Sequence, residues 1–176
     1  DFDFIWAAHP LFNTHEGMRF IVPEGMNRII NAVPGKSLGP YGRKMSFPSA
    51  SAENGGGDLS AVPLRNGEGY QKYYFAEKVT DGWCLLHSPV WGLSIGMSFP
   101  EDTVSYLGMW LNEGGFAGQY NIAPEPATGA MDRVDFSKMW GMNSVLPGKG
   151  FLSWYLDISV REGSEPRGMK NGEFLY

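Results

Sequence analysis

The chain has 176 residues, enough for one domain with a sizeable core. Its 14 basic and 19 acidic residues leave a net charge of −5 without long runs of like charge, which argues against a nucleic-acid partner and a polybasic membrane anchor. Hydrophobic residues make up 43% with no apolar run long enough to span a bilayer, while 24 Gly, 12 Pro and 14% aromatics point to an all-β sandwich or barrel rich in turns.

In chain order, Phe2, Phe4 and Trp6 alternate with Asp3 and Ile5, so the sequence opens in what reads as mid-strand. That start suggests a fragment, whose sheet edge expects either a missing N-terminal half or a second copy of the chain. Residues 18–22 and 28–33 read as strands, separated by Pro23 and Gly25 and compatible with a hairpin. Residues 35–58 lose all periodicity and read as a long exposed loop. Strands are expected at 73–79 and 83–87, with an Asp81-Gly82 turn between them. In 91–99, Trp91, Leu93, Ile95, Met97 and Phe99 alternate with Gly92, Ser94, Gly96 and Ser98. One face is apolar, and the other is small enough for a further layer or a ligand to approach closely. Residues 106–111 and 120–123 are further strands around a Gly114-Gly115 turn, 131–142 holds a short helical turn, and Trp154, Leu156, Ile158 and Val160 alternate near the end. The whole of 1–176 reads as one β-sandwich domain or a fragment of one.

The chemistry-bearing residues are few. Cys84 is the one cysteine, which excludes an intrachain disulfide and a cysteine zinc site and is compatible with a cytoplasmic setting. Of the three histidines, His9 follows an apolar strand and precedes Pro10, a fixed position open to a site or to a loop carbonyl. His15 reads as a solvated loop residue and His87 as a structural strand-end residue. Their spacing matches no metal motif, and no metal is expected. Glu125 stands between Pro124 and Pro126, either an exposed acid in a turn or a carboxylate held rigidly enough for general-base work. Trp91 reads as core, while Trp110, just before a turn, reaches either core or rim; Phe116 is a further aromatic candidate. No phosphate-binding loop motif of the form G-x-x-x-x-G-K-[ST] is present.

Four segments carry a family resemblance: Ile5-Trp6-Ala7-Ala8-His9-Pro10-Leu11-Phe12-Asn13, Tyr106-Leu107-Gly108-Met109-Trp110-Leu111-Asn112, Tyr120-Asn121-Ile122-Ala123-Pro124-Glu125-Pro126, and Leu146-Pro147-Gly148-Lys149-Gly150 with Trp154-Tyr155-Leu156. In order and separation they resemble the C-terminal half of aldose 1-epimerases, the galactose mutarotase-like proteins. The resemblance implies a large antiparallel β-sandwich (a supersandwich), a monosaccharide or sugar derivative as ligand, and no cofactor. It implies Glu125 as general base and His9 as general acid. Trp110 would pack on the sugar, and Asn13 would hold either a substrate hydroxyl or its own loop. The family's sugar-binding Asp has only Asp81 and Asp102 as candidates. The alternatives are a non-catalytic carbohydrate-binding or sensing protein on the same fold, or a structural segment of a larger sugar-processing enzyme.

Overall fold

The computed structural model describes residues 1–34, 38–50, 57–64 and 69–176. The first elements are β1 (Phe2–Phe4), β2 (Phe12–Asn13), β3 (Arg19–Ile21), β4 (Arg28–Asn31), β5 (Lys44–Ser46), β6 (Ser49–Ala50), β7 (Gly57–Asp58) and β8 (Gly69–Phe75). Then come β9 (Trp83–Ser88), β10 (Leu93–Ser98), β11 (Tyr106–Glu113), β12 (Tyr120–Ala127), α1 (Val134–Met139), β13 (Ser144–Leu146), β14 (Asp157–Glu162), β15 (Gly168–Lys170) and β16 (Glu173–Leu175).

Two open antiparallel sheets dominate, a six-stranded one in the order β2-β12-β11-β8-β4-β5 and a four-stranded one in the order β14-β10-β9-β3. Side chains alternate between the faces of a strand, so each sheet offers one apolar side. Ile29, Tyr73, Phe75, Leu107, Met109, Leu111 and Ile122 of the larger sheet meet Phe20, Cys84, Leu86 and Met97 of the smaller in one core. The chain is therefore an all-β antiparallel sandwich. Among the described residues no helix is long and apolar enough to cross a membrane.

Several expectations are corrected. β3 and β4 are not a hairpin: β3 pairs with β9, and β4 with β5 and β8 in the other sheet. The second edge of β3 is taken by the segment around Ser60, where the Phe20 N–H donates to the Ser60 carbonyl and the Val62 N–H to the Met18 carbonyl. The expected loop at 35–58 contains β5, β6 and β7 in its described parts, while 35–37 and 51–56 lie outside the described residues. Strands of two or three residues are too short to leave a readable alternation. The opening strand is not unpaired, because β1 ladders with β13.

The 91–99 pattern divides as its two faces require. Ile95 and Met97 point into the core, while the small face lies against the β15–β16 hairpin. A Cβ on Gly96 would stand 2.6 Å from Met169 Sδ and 3.0 Å from Phe174 Cζ, so glycine lets the hairpin settle there without its side chains giving way. Trp91, expected in the core, precedes β10 and is 55% exposed. The open edge of the smaller sheet is β14. Register puts its Ile158 and Val160 opposite Met97 and Ile95, yet they remain 48% and 60% exposed.

β12 runs on through Pro124 and Pro126, so Glu125 lies inside a strand rather than after one. Proline cannot donate to a ladder and is confined to positions whose N–H side is not needed. β12 pairs with β11 along its length, but on its other side β2 reaches only Asn121 and Ile122. The prolines fall beyond that point, where the Pro126 carbonyl accepts from the Ala8 N–H at 2.9 Å.

Candidate functional site

The outer face of the six-stranded sheet carries a polar and aromatic patch. Cross-strand rows fix its layout. Tyr74 of β8 and Glu125 of β12 both stand opposite Gly108 of β11, and Lys72 and Ala123 both stand opposite Trp110. Gly108 is the gap in the first row. The Tyr74 ring lies over it, so close that a Cβ there would be 2.8 Å from Cε1. With no side chain between them, the Tyr74 hydroxyl spans β11 to within 3.2 Å of Glu125 Oε2, its single proton lying between that oxygen and the nearer Asp132 Oδ1 at 2.6 Å.

His9 arrives from another part of the chain. Ala7 bridges to Ala127 and the Ala8 N–H is bound by Pro126, so the segment runs along the end of β12 and sets His9 over Glu125. His9 Nε2 is 3.1 Å from Glu125 Oε1. The imidazole is 42% exposed and the carboxylate fully buried. The contact has ion-pair distance, but Oε1 receives no aligned hydrogen bond among the described residues. Oε2, by contrast, is held twice: besides Tyr74 it pairs with Lys72 Nζ at 2.9 Å. Lys72 Nζ also reaches Asp132 Oδ2 at 2.8 Å, and the Tyr74 hydroxyl lies 2.6 Å from Asp132 Oδ1. Asp132 enters this network through an unusual backbone. Met131 and Asp132 have φ of 76° and 59°, a left-handed conformation that Asp tolerates better than Met. Complete burial of the Met131 side chain, and the Tyr41 hydroxyl donating to its carbonyl at 2.9 Å, hold the turn in place.

Beside the pair lies an aromatic shelf. The Trp110 ring centroid is 6.2 Å from that of His9, 5.6 Å from Tyr70 and 5.8 Å from Phe116. The Trp110 indole N–H donates to Asn121 Oδ1 at 3.0 Å, which fixes the ring. Asn112 ties the following turn by donating to the Phe116 carbonyl at 2.8 Å and accepting its N–H at 3.0 Å, so Phe116 is presented to solvent. Asn13 is exposed on β2, in register with Asn121 at the same end of the patch.

The structure thus brings His9, Glu125 and Trp110 together and places Asn13 along the same face. The other histidines stand apart. His15 lies in a loop, as expected, but is only partly exposed: Nε2 is 2.6 Å from Ser88 Oγ, and its ring meets Trp91 edge-on at 4.6 Å. His87 is buried in β9 with Nδ1 2.9 Å from Ser94 Oγ. Among the described residues no three His, Cys, Asp or Glu side chains are grouped to hold a metal ion. Asp81 lines a separate cleft of about 480 Å³ with Trp83, Tyr155 and Asp157. Asp102 is exposed in a turn, accepting from the Thr103 hydroxyl. The acid beside the pair is Asp132, which the sequence reading missed together with Lys72, Tyr74, Tyr70 and Asn121. A usable signal existed for Lys72, a charge amid the aromatics of Gly69–Phe75, where β8 starts earlier than expected.

Glu125 raises the His9 pKa above its ordinary 6.5, chiefly through the close contact of the two side chains; partial burial and the Lys72 charge act in the opposite sense. A histidine raised on folding adds stability that is complete below its unfolded pKa and is lost as pH rises through the folded value. Proton NMR of the His9 ring is expected to show a midpoint above 6.5, falling back towards it in Glu125→Gln. A wild-type midpoint at or below that value contradicts the contact. Burial also pushes the Tyr74 hydroxyl far above its usual range, with the neighbouring carboxylates adding to it, so Tyr74 is a donor at every working pH.

No family model and no curated protein matches the sequence. A search of solved structures finds the crystal structure of the Slr1438 protein from Synechocystis sp. PCC 6803, with a TM-score of 0.63 and 17% identity. The match covers 91% of this chain and 45% of that one, so this chain spans less than half of its structural neighbour. At that identity the likeness is one of fold.

Proposed function

We propose that this chain carries aldose 1-epimerase-type chemistry, the interconversion of sugar anomers by acid/base ring opening. The observation that supports it is the His9–Glu125 pair, a half-exposed imidazole 3.1 Å from a fully buried carboxylate beside an aromatic shelf. Anomerisation removes a proton from the C1 hydroxyl and delivers one to the ring oxygen. Glu125 Oε1, the oxygen without an aligned donor, takes the hydroxyl proton. His9, whose pKa the neighbouring Glu125 raises, in its protonated form gives a proton to the ring oxygen. The C1–O bond of the ring breaks, the aldehyde turns about C1–C2, and closure on the other face runs the transfers in reverse. The sugar must enter the His9–Glu125 contact, and the more exposed His9 is the side that yields. Trp110 offers its face to the C–H side of a pyranose ring, and Asn13 lies where it can meet a hydroxyl at the rim.

The ligand in this reading is a monosaccharide or a sugar derivative, no cofactor takes part, and the setting is cytoplasmic. The uncovered Ile158 and Val160 on the β14 edge support association as part of the same proposal. The chain alone is expected to sediment at micromolar concentration as a species heavier than one copy, and a sharp monomer contradicts this. A second reading, non-catalytic sugar binding, is favoured by the exposure of Phe116 (60%) at the end of the shelf. Polarimetry with freshly dissolved α-aldoses separates the two. Acceleration above buffer that His9→Asn abolishes supports the enzyme; binding without acceleration supports the second reading.

A further inference from the structure

We infer that Lys72 is a positioning residue that, with Tyr74 and Asp132, fixes which oxygen of Glu125 exchanges protons. The inference rests on the acid/base reading above and names a part of the site that reading does not contain. A carboxylate has two equivalent oxygens, and a free one rotates between them. Here they are made unequal. Oε2 is occupied from two directions, by Lys72 Nζ at 2.9 Å and the Tyr74 hydroxyl at 3.2 Å. Oε1 faces His9 and has no aligned donor. A buried carboxylate without a partner is costly. Lys72 supplies the partner on the far side, so that Oε1 stays free.

Lys72 is itself held. Its side chain is 11% exposed, its Nζ is braced by Asp132 Oδ2 at 2.8 Å, and Asp132 is braced in turn by the Tyr74 hydroxyl at 2.6 Å. The three form a closed bracket around Oε2: Lys72 touches both acids, Tyr74 touches both acids, and Gly108 leaves the space through which Tyr74 reaches. An ion pair needed only for stability would not require the two oxygens to be divided, with Lys72 on Oε2 and the half-exposed, displaceable His9 as the neighbour of Oε1. A lysine serving as a proton donor would need access to substrate, and this one is enclosed between two acids. The geometry therefore gives it a role through Glu125.

The test uses Lys72→Met in the full chain, with ring NMR of His9 and the pH profile of anomer exchange as readouts. Removing the ammonium takes away a charge that opposes His9 protonation, so the His9 midpoint is expected to move up. The kcat is expected to fall roughly ten- to a hundredfold with little change in KM, because a misplaced catalytic group costs on that order. The pH–rate profile should shift with the His9 midpoint, and Lys72→Arg, which keeps the charge, should recover part of kcat. A folded Lys72→Met whose His9 midpoint is unchanged or lower overturns the inference. If Lys72→Met does not fold, Asp132→Asn removes the outer brace at a more exposed position and should produce the same kcat loss with KM retained; normal kcat there overturns the inference. The two failures are distinguishable. Wild-type protein that accelerates no aldose refutes the epimerase chemistry and, with it, a proton-exchanging Oε1, while a raised His9 midpoint in Lys72→Met shows only that the ammonium stands beside the pair. Full activity with unaltered titration in Lys72→Met refutes the bracket and supports the epimerase.

Discussion

Glu125→Gln is expected to lower kcat for anomer interconversion by roughly 10²- to 10⁴-fold, the contribution of a positioned acid or base, while KM changes little. The amide fills the same fully buried space, and its oxygen still accepts from Lys72 and Tyr74 on the Oε2 side. Its NH₂ then points at His9, where it takes up no proton. The substitution also removes the charge that raises the His9 pKa, so less of the imidazole is present in its acid form at neutral pH. Both halves of the exchange depend on one carboxylate, which is why so large a loss of activity is expected. Polarimetry at matched protein concentration checks it, with circular dichroism to verify the fold; a near-normal rate refutes the role.

The largest effect on stability predicted here comes from adding one methyl group at Gly108. In Gly108→Ala the new Cβ would lie 2.8 Å from Cε1, 3.0 Å from Cδ1 and 3.1 Å from Cζ of Tyr74. The ring has little room to retreat, being buried in a cluster with Ile30, Tyr106, Ala130 and Met131. Overpacking of this kind costs about 1–3 kcal/mol. In a chain of this length each kcal/mol lowers Tm by about 2–4 °C. Any movement of the ring also draws its hydroxyl away from Glu125 and Asp132, so activity should fall with stability. Thermal melts measure the first effect and polarimetry the second. An unchanged Tm contradicts the place given to the Tyr74 ring.

Much of this site was legible residue by residue and little of it as an arrangement. His9 and Glu125 stand out locally because each adjoins proline, and the strand at 91–99 shows in its alternation. The rule that proline belongs in turns put Glu125 at a strand end, whereas β12 tolerates both prolines because their side is not laddered by β2. The split into two sheets could not be read from alternation, since Phe20 and Ile29 look alike on paper and enter the core from opposite layers. Lys72, Tyr74 and Asp132 meet only through the registers of β8, β11 and β12 and the left-handed turn after β12. Trp91 misled because an alternating pattern does not reveal where a strand begins, and here β10 begins at Leu93.

The central claim is that the His9–Glu125 pair opens and recloses a sugar ring. Exchange NMR measures this most directly. Free aldoses at anomeric equilibrium are mixed with catalytic amounts of the protein, and magnetisation transfer between the α and β H1 signals is followed against buffer and against Glu125→Gln. Exchange cross-peaks are expected for at least one aldose with the wild-type protein, reduced to the buffer level in the variant. Sugar-induced shifts of the Trp110 indole N–H signal with no exchange above buffer would contradict it, leaving a surface that binds sugars without turning them over.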